Sequence, residues 1–182
     1  MAAGQRGEST VHSQFKRKFF IGDREMGAGC PVYIIAEAGV NHNGSLELAL
    51  ELVDAAAESG ADAVKFQTFR TEELATRRAP KAAYHLETTG VAQSWFDLLK
   101  SQELDRADHE SILRRCQDRG VTFLSTPYDA VSVDLLADLD VRAFKIASTD
   151  ANNIPFLRYV AGMGRPVIIS TAMCTFEEVQ ES

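Results

Sequence analysis

Two lysines stand where lysine is unfavourable. Lys65 interrupts the apolar run Ala63-Val64-Lys65-Phe66, and Lys145 interrupts Ala143-Phe144-Lys145-Ile146. An ammonium held among apolar neighbours raises the free energy unless an anion pairs with it. Both positions therefore predict an anionic ligand. Hydroxyls at Thr126, Ser148 and Ser170, each just past an apolar run, suit the oxygens of a phosphate or a carboxylate. Gln67 closes the run that holds Lys65. Glu37, between Ala36 and Ala38, is an isolated carboxylate that also needs a partner. A plainer alternative pairs the two lysines internally with Glu37 and Asp150. Ser125 reads as a turn residue, His42 as a hydrogen-bonding or capping residue in the loop Asn41-His42-Asn43-Gly44, and His85 and His109 as flap and helix-surface residues. Phe66, Phe69 and Phe123 read as packing groups.

The elements that position these groups follow from hydrophobic patterning. Five apolar runs recur: Val32–Ala36, Ala63–Phe66, Val121–Leu124, Ala143–Ile146 and Val167–Ile169. They are continuous rather than alternating, as expected of parallel strands covered on both faces. Helical patterns lie between them. Ser45 can cap one that carries Leu46, Leu50, Val53 and Ala57 on one face and stops at Gly60. Asp105 can cap another, with Ile112, Leu113 and Cys116 inward and Gly120 as the stop. Residues Val131 to Leu139 and Ile154 to Val160 supply two more. Strand–helix alternation with short connections predicts a βα architecture. In such folds the C-terminal ends of the strands form the ligand face. All five runs end in polar residues, so these groups should converge on one pocket. The stretch from Thr68 to Leu104 is longer, with a short helical pattern near Trp95 to Lys100, and is expected to be a functional flap. Phe19-Phe20-Ile21 followed by Gly22-Asp23 predicts a hairpin, and residues 1–18 a flexible tail.

The chain has 182 residues, with 19 Lys+Arg and 26 Asp+Glu and a net charge of −7. That balance opposes nucleic-acid binding, which needs a basic footprint; Lys16-Arg17-Lys18 is too short to reverse it. No apolar stretch approaches the ~20 residues of a membrane span, and the first twenty residues lack the apolar segment expected of a signal peptide. Three widely spaced cysteines, Cys30, Cys116 and Cys174, argue against a disulfide framework or zinc site. A cytoplasmic, acidic, globular protein is expected.

The run Ala36-Glu37-Ala38-Gly39-Val40-Asn41-His42-Asn43-Gly44 closely resembles the sialic acid (N-acetylneuraminate) synthase family. The likeness continues in Gly60-Ala61-Asp62-Ala63-Val64-Lys65-Phe66-Gln67, Phe123-Leu124-Ser125-Thr126-Pro127, Lys145-Ile146-Ala147-Ser148-Thr149-Asp150-Ala151-Asn152-Asn153 and Ser170-Thr171-Ala172-Met173. The resemblance implies an α/β fold of the (β/α)8 TIM-barrel type. It also implies condensation of phosphoenolpyruvate with an N-acylated hexose such as N-acetylmannosamine, giving a nonulosonic acid and releasing phosphate. A divalent metal, Mn2+ or Mg2+, would polarise the sugar aldehyde while carbon 3 of phosphoenolpyruvate attacks it. Water would add at carbon 2, and phosphate would leave by C–O cleavage. By motif position, Lys65, Thr126, Lys145, Ser148 and Ser170 would hold phosphoenolpyruvate, and Gln67 and Asn41 would line the site. Glu37 and Asp150 would be the catalytic carboxylates, Glu37 positioning or deprotonating water. The histidines His12, His42, His85 and His109 do not match the family's metal ligands, so no metal residue is assigned. A homodimer is implied for the full-length family protein.

Two departures matter. Ala147 and Thr149 replace glycines that flank Ser148 in the family, and Ala172 replaces the glycine of Ser-Thr-Gly-Met. They point to a related branch with another sugar, such as legionaminic acid or spore-coat polysaccharide synthesis, or to impaired catalysis. Five βα units are counted where a closed barrel needs eight. Residues 19–182 are therefore expected to be the N-terminal part of a barrel, without its last strands or the family's antifreeze-like domain, and weakly stable alone. The competing readings are a lysine Schiff-base aldolase using Lys65 or Lys145, and an inactive fragment that binds only anions or a partner chain.

Overall fold

A computed structural model of the chain describes residues 18–80 and 94–182. Five strands form one parallel sheet: β3 (Ile35–Gly39), β4 (Ala63–Thr68), β5 (Thr122–Pro127), β6 (Phe144–Ile146) and β7 (Val167–Ile169). They lie side by side in chain order, β3-β4-β5-β6-β7, with no reversal. Each crossover carries a helix: α1 (Leu46–Glu58) after β3, α4 (Arg106–Arg119) before β5, α5 (Ala130–Asp138) after it, and α6 (Ile154–Ala161) before β7. Between β4 and α4 lie α2 (Thr71–Leu74) and α3 (Trp95–Gln102), and α7 (Phe176–Glu181) follows β7. An antiparallel hairpin, β1 (Lys18–Ile21) and β2 (Arg24–Gly27), precedes the sheet.

Helix boundaries follow side-chain chemistry. The Ser45 hydroxyl accepts from the Leu48 N–H and starts α1. Asp105 and Asp108 close a reciprocal capping box at the start of α4, and Gly120, at φ +71°, ends it in the left-handed conformation that glycine adopts without steric cost. The Asp129 carboxylate accepts from Ser132 N–H at 2.7 Å to start α5, and also from Arg70 N–H at 2.8 Å, tying that helix to the end of β4.

Strand periodicity explains why a polar site sits above an apolar plug. Successive side chains face opposite sides of a sheet. On the outer face, Val64, Phe66, Phe123, Phe144 and Ile146 pack against the helices, meeting Val53, Ile112, Leu136 and Val160. Full burial of a side chain such as Phe66 is worth about 1.5–3 kcal/mol. On the inner face, Ala63, Leu124 and Ala143 meet Ile35, Ile168 and the hairpin's Ile21, which closes the N-terminal ends of the strands. Two residues further along the same inner face come Glu37, Lys65, Thr126 and Lys145.

Three expectations are corrected. The first strand begins at Ile35, not Val32, because Val32 and Ile34 are exposed (81% and 56%); Glu37 therefore lies within the strand. His109 is buried in the interior rather than on the helix surface. β1 begins at Lys18, inside the expected tail; the rest of that tail, His12 and His85 lie outside the described residues.

Candidate active site

A cleft of about 420 Å³ opens at the C-terminal ends of the parallel strands. It is lined by Glu37, Gly39, Val40, Asn41, Lys65, Gln67, Thr126, Tyr128, Lys145, Ala147, Ser148 and Ser170. Eight of the nine residues singled out from the sequence thus meet in one place. The ninth, Asp150, is not in the lining; its carboxylate lies 3.4 Å from the Thr149 hydroxyl.

Register sets this convergence. Glu37 is paired with Lys65 across β3 and β4, and Gln67 with Thr126 across β4 and β5. Side chains at paired positions point to the same face, so the three strands present their polar ends together. Gly39, at φ +55°, ends β3 where a Cβ would stand 3.3 Å from Glu37 Oε1 and 3.7 Å from Gln67 Nε2. Glycine keeps that corner open. In the loop beyond, a Cβ on Gly44 (φ +80°) would collide with the Ser101 carbonyl oxygen, so glycine is what lets the loop seat on α3.

The two lysines differ. Lys65 makes an ion pair with Glu37, its side chain 12% exposed against 54% for the carboxylate. Lys145 forms no ion pair among the described residues; its Nζ donates to the Ile146 carbonyl at 2.7 Å. The internal alternative therefore holds for Lys65 with Glu37, while Asp150 pairs with neither lysine among the described residues. Burial, and secondarily the charge of Lys65, pulls the Lys145 ammonium below its ordinary value, and Glu37 opposes this. An ammonium has three donors, and Lys145 keeps two for a ligand.

A buried polar layer lies behind the strand ends, on their outer, helix-facing side. Thr68 Oγ1 is 2.9 Å from His109 Nε2 and 2.7 Å from Ser125 Oγ. Thr68 follows Gln67 and Ser125 precedes Thr126, so these bonds clamp the strand ends that hold two lining residues. Ser125, read from sequence as a turn residue, is part of this clamp. His42 is fully buried, and its Nδ1 accepts from the Gly44 N–H at 3.0 Å, fixing the loop that carries Asn41.

Sequence reasoning missed Tyr128. The available signal was its position, two residues past Thr126 at the end of an apolar run. The replacements of family glycines are accommodated: among the described residues only Asn43 and Asp140 are non-glycine residues at positive φ, so Thr149 needs no glycine-like backbone. The divalent metal implied by the resemblance finds no site: among the described residues, no three of His, Cys, Asp and Glu come together.

The NeuB family model matches residues 52–182. The chain belongs to the NeuB family. It is 43% identical over 159 residues to the N,N'-diacetyllegionaminic acid synthase of Legionella pneumophila, covering 87% of this chain and 45% of that protein. The solved structure of the Bacillus subtilis spore coat polysaccharide biosynthesis protein SpsE superposes with a TM-score of 0.70 at 42% identity, over 90% of this chain and 42% of that one. An N-acetylneuraminic acid synthetase from Leptospira borgpetersenii, solved in complex with citrate, superposes with a TM-score of 0.76 at 32% identity, over 90% of this chain and 53% of that one. This NeuB-family chain thus spans a little under half the length of the curated relatives it matches. No helix among the described residues is long and apolar enough to cross a membrane.

Proposed function

We propose that this chain carries the phosphoenolpyruvate-binding part of a nonulosonic acid synthase site. One observation carries the reading. Lys65 on β4 and Lys145 on β6, one strand to either side of β5, rise from the inner face into a cleft that also holds the hydroxyl residues Thr126, Ser148 and Ser170. Two cationic heads with three hydroxyls match a ligand bearing both a carboxylate and a phosphate.

In this reading Lys145, whose donors are mostly free, takes an anionic oxygen directly. Lys65 is held in place by Glu37 and is shared with the ligand when it arrives. Glu37, half exposed at the edge of the cleft, orients the water that adds to carbon 2 and accepts its proton. A carbon–carbon bond forms between carbon 3 and the aldehyde carbon as the carbon 2–carbon 3 and carbonyl π bonds break, and the aldehyde oxygen takes up the proton that the water gives up; the carbon 2–oxygen bond to phosphate then breaks as the carbon 2 hydroxyl becomes the ketone, its proton leaving with phosphate. Asp150 is the second acid–base group, acting from beside the cleft. The similarity to the Legionella enzyme supports an acceptor of the N-acylated, diacetamido type. Strands in chain order around a plugged inner face support an open segment of a (β/α)8 barrel.

Phosphate release from phosphoenolpyruvate with Mn2+ and a panel of N-acetylhexosamines tests the activity. Release that depends on a sugar supports it, and none from a folded chain supports an anion-binding segment without turnover. The lowered Lys145 ammonium favours one second reading, a Schiff-base aldolase. Borohydride trapping of pyruvate on Lys145 would establish that chemistry and displace the synthase.

A further inference from the structure

Tyr128 stands in the cleft with no task in the reading above. It follows Thr126 and Pro127, and it lines the cleft with Glu37, Gln67 and Lys145. Its backbone N–H donates to the Thr68 carbonyl at 3.1 Å. Thr68 is in turn held by His109 and Ser125, so the ring springs from one of the best-fixed parts of the site. Its hydroxyl makes no hydrogen bond among the described residues. Burial, with the negative charges of Asp150 and Glu37, holds the phenol above its usual range. At neutral pH it is a neutral O–H donor and not a base.

Lys65, Lys145 and the hydroxyl residues supply the donors for an anion. The Tyr128 phenol adds no charge to that set, and it feels the negative charges of Asp150 and Glu37, which disfavour an anion beside it. A neutral molecule rich in hydroxyls finds there a donor, carboxylate acceptors and an aromatic edge. We propose that Tyr128 is a binding residue for the acceptor sugar, its hydroxyl donating to a hydroxyl or N-acyl oxygen of an N-acylated hexosamine. This rests on the phosphoenolpyruvate reading and assigns a residue to the second substrate of the same site.

The test is 13C NMR of the chain with tyrosine labelled at Cζ, the Tyr128 resonance being assigned by its loss in Tyr128→Phe. Phosphoenolpyruvate is added first, then N-acetylmannosamine, N-acetylglucosamine or a 2,4-diacetamido hexose. At least one sugar should move the Tyr128 resonance. Tyr128→Phe should bind that sugar about fivefold more weakly, the loss of one neutral hydrogen bond. Its phosphoenolpyruvate affinity should stay within about twofold of the parent chain. Three results would overturn the proposal: no sugar moves the resonance, Tyr128→Phe binds sugar as the parent does, or it loses both ligands in proportion, as a merely structural role requires. Failure of phosphoenolpyruvate to bind is a separate result, which overturns the phosphoenolpyruvate reading and this assignment with it.

Discussion

Replacing Thr68 with valine probes the layer that holds the cleft. The side chains of Thr68, His109 and Ser125 are all buried, none of the residues more than 3% exposed. His109 Nδ1 lies 2.7 Å from the Asp105 carbonyl oxygen, which can only accept, so Nδ1 carries the ring proton. Nε2 is then the acceptor: Thr68 donates to it at 2.9 Å, and Ser125 donates to Thr68 at 2.7 Å. Valine keeps the shape of threonine and removes both bonds. It strands a buried acceptor on His109 and a buried donor on Ser125, each costing roughly 1–3 kcal/mol. The expected loss is about 2–6 kcal/mol, against the roughly 5–15 kcal/mol by which folded domains are stable. Ser125→Ala removes only the terminal donor and leaves Thr68 bonded to His109, for a loss of about 1 kcal/mol. Urea unfolding followed by circular dichroism gives both values from the midpoints. A Thr68→Val loss under about 1 kcal/mol, or one equal to that of Ser125→Ala, would refute the ordered donor chain.

The same histidines set a pH dependence. Burial lowers both His42 and His109 below the ordinary value of 6.5, so the unfolded chain takes up protons that the native state refuses. Their contribution is complete above about pH 6.5 and is lost as pH falls through that value toward the lower native ones. The thermal midpoint should fall between pH 7.5 and 5, and a flat or rising profile counts against it. Burial also pushes the Cys116 thiol up to about 12, while Cys30 and Cys174 are only partly buried. At pH 8 a thiol reagent should modify two cysteines readily and the third only in denaturant; three fast thiols would contradict the packing of α4.

The βα rhythm and the polar strand ends were legible because they are local. Continuous apolar runs mark buried strands, and a lysine inside such a run stands out in one sequence. Eight site residues could be named from that signal and the family motifs together. Other features depend on partners far along the chain. His109 looks like one polar residue on a helix until Thr68, 41 residues earlier, supplies its partner. Ser125 is a plain strand-end hydroxyl until Thr68 meets it from the next strand. Val32 and Ile34 extend an apolar run past the point where the ladder begins, so the first strand was placed three residues early. α2 spans four residues, too few for a helical period to show. Asp150 reads as a site carboxylate from its motif, yet the backbone turn at Thr149 sets it beside the cleft.

The central claim is that Lys145 and Lys65 hold an anion at the strand ends. Calorimetric titration of the chain with phosphoenolpyruvate tests it directly, with Lys145→Met as the variant, because Lys145 has no ion pair to break among the described residues. The parent chain should bind, and Lys145→Met should lose about tenfold or more, the worth of a charge-assisted hydrogen bond. Lys145→Met binding phosphoenolpyruvate as tightly as the parent would contradict it.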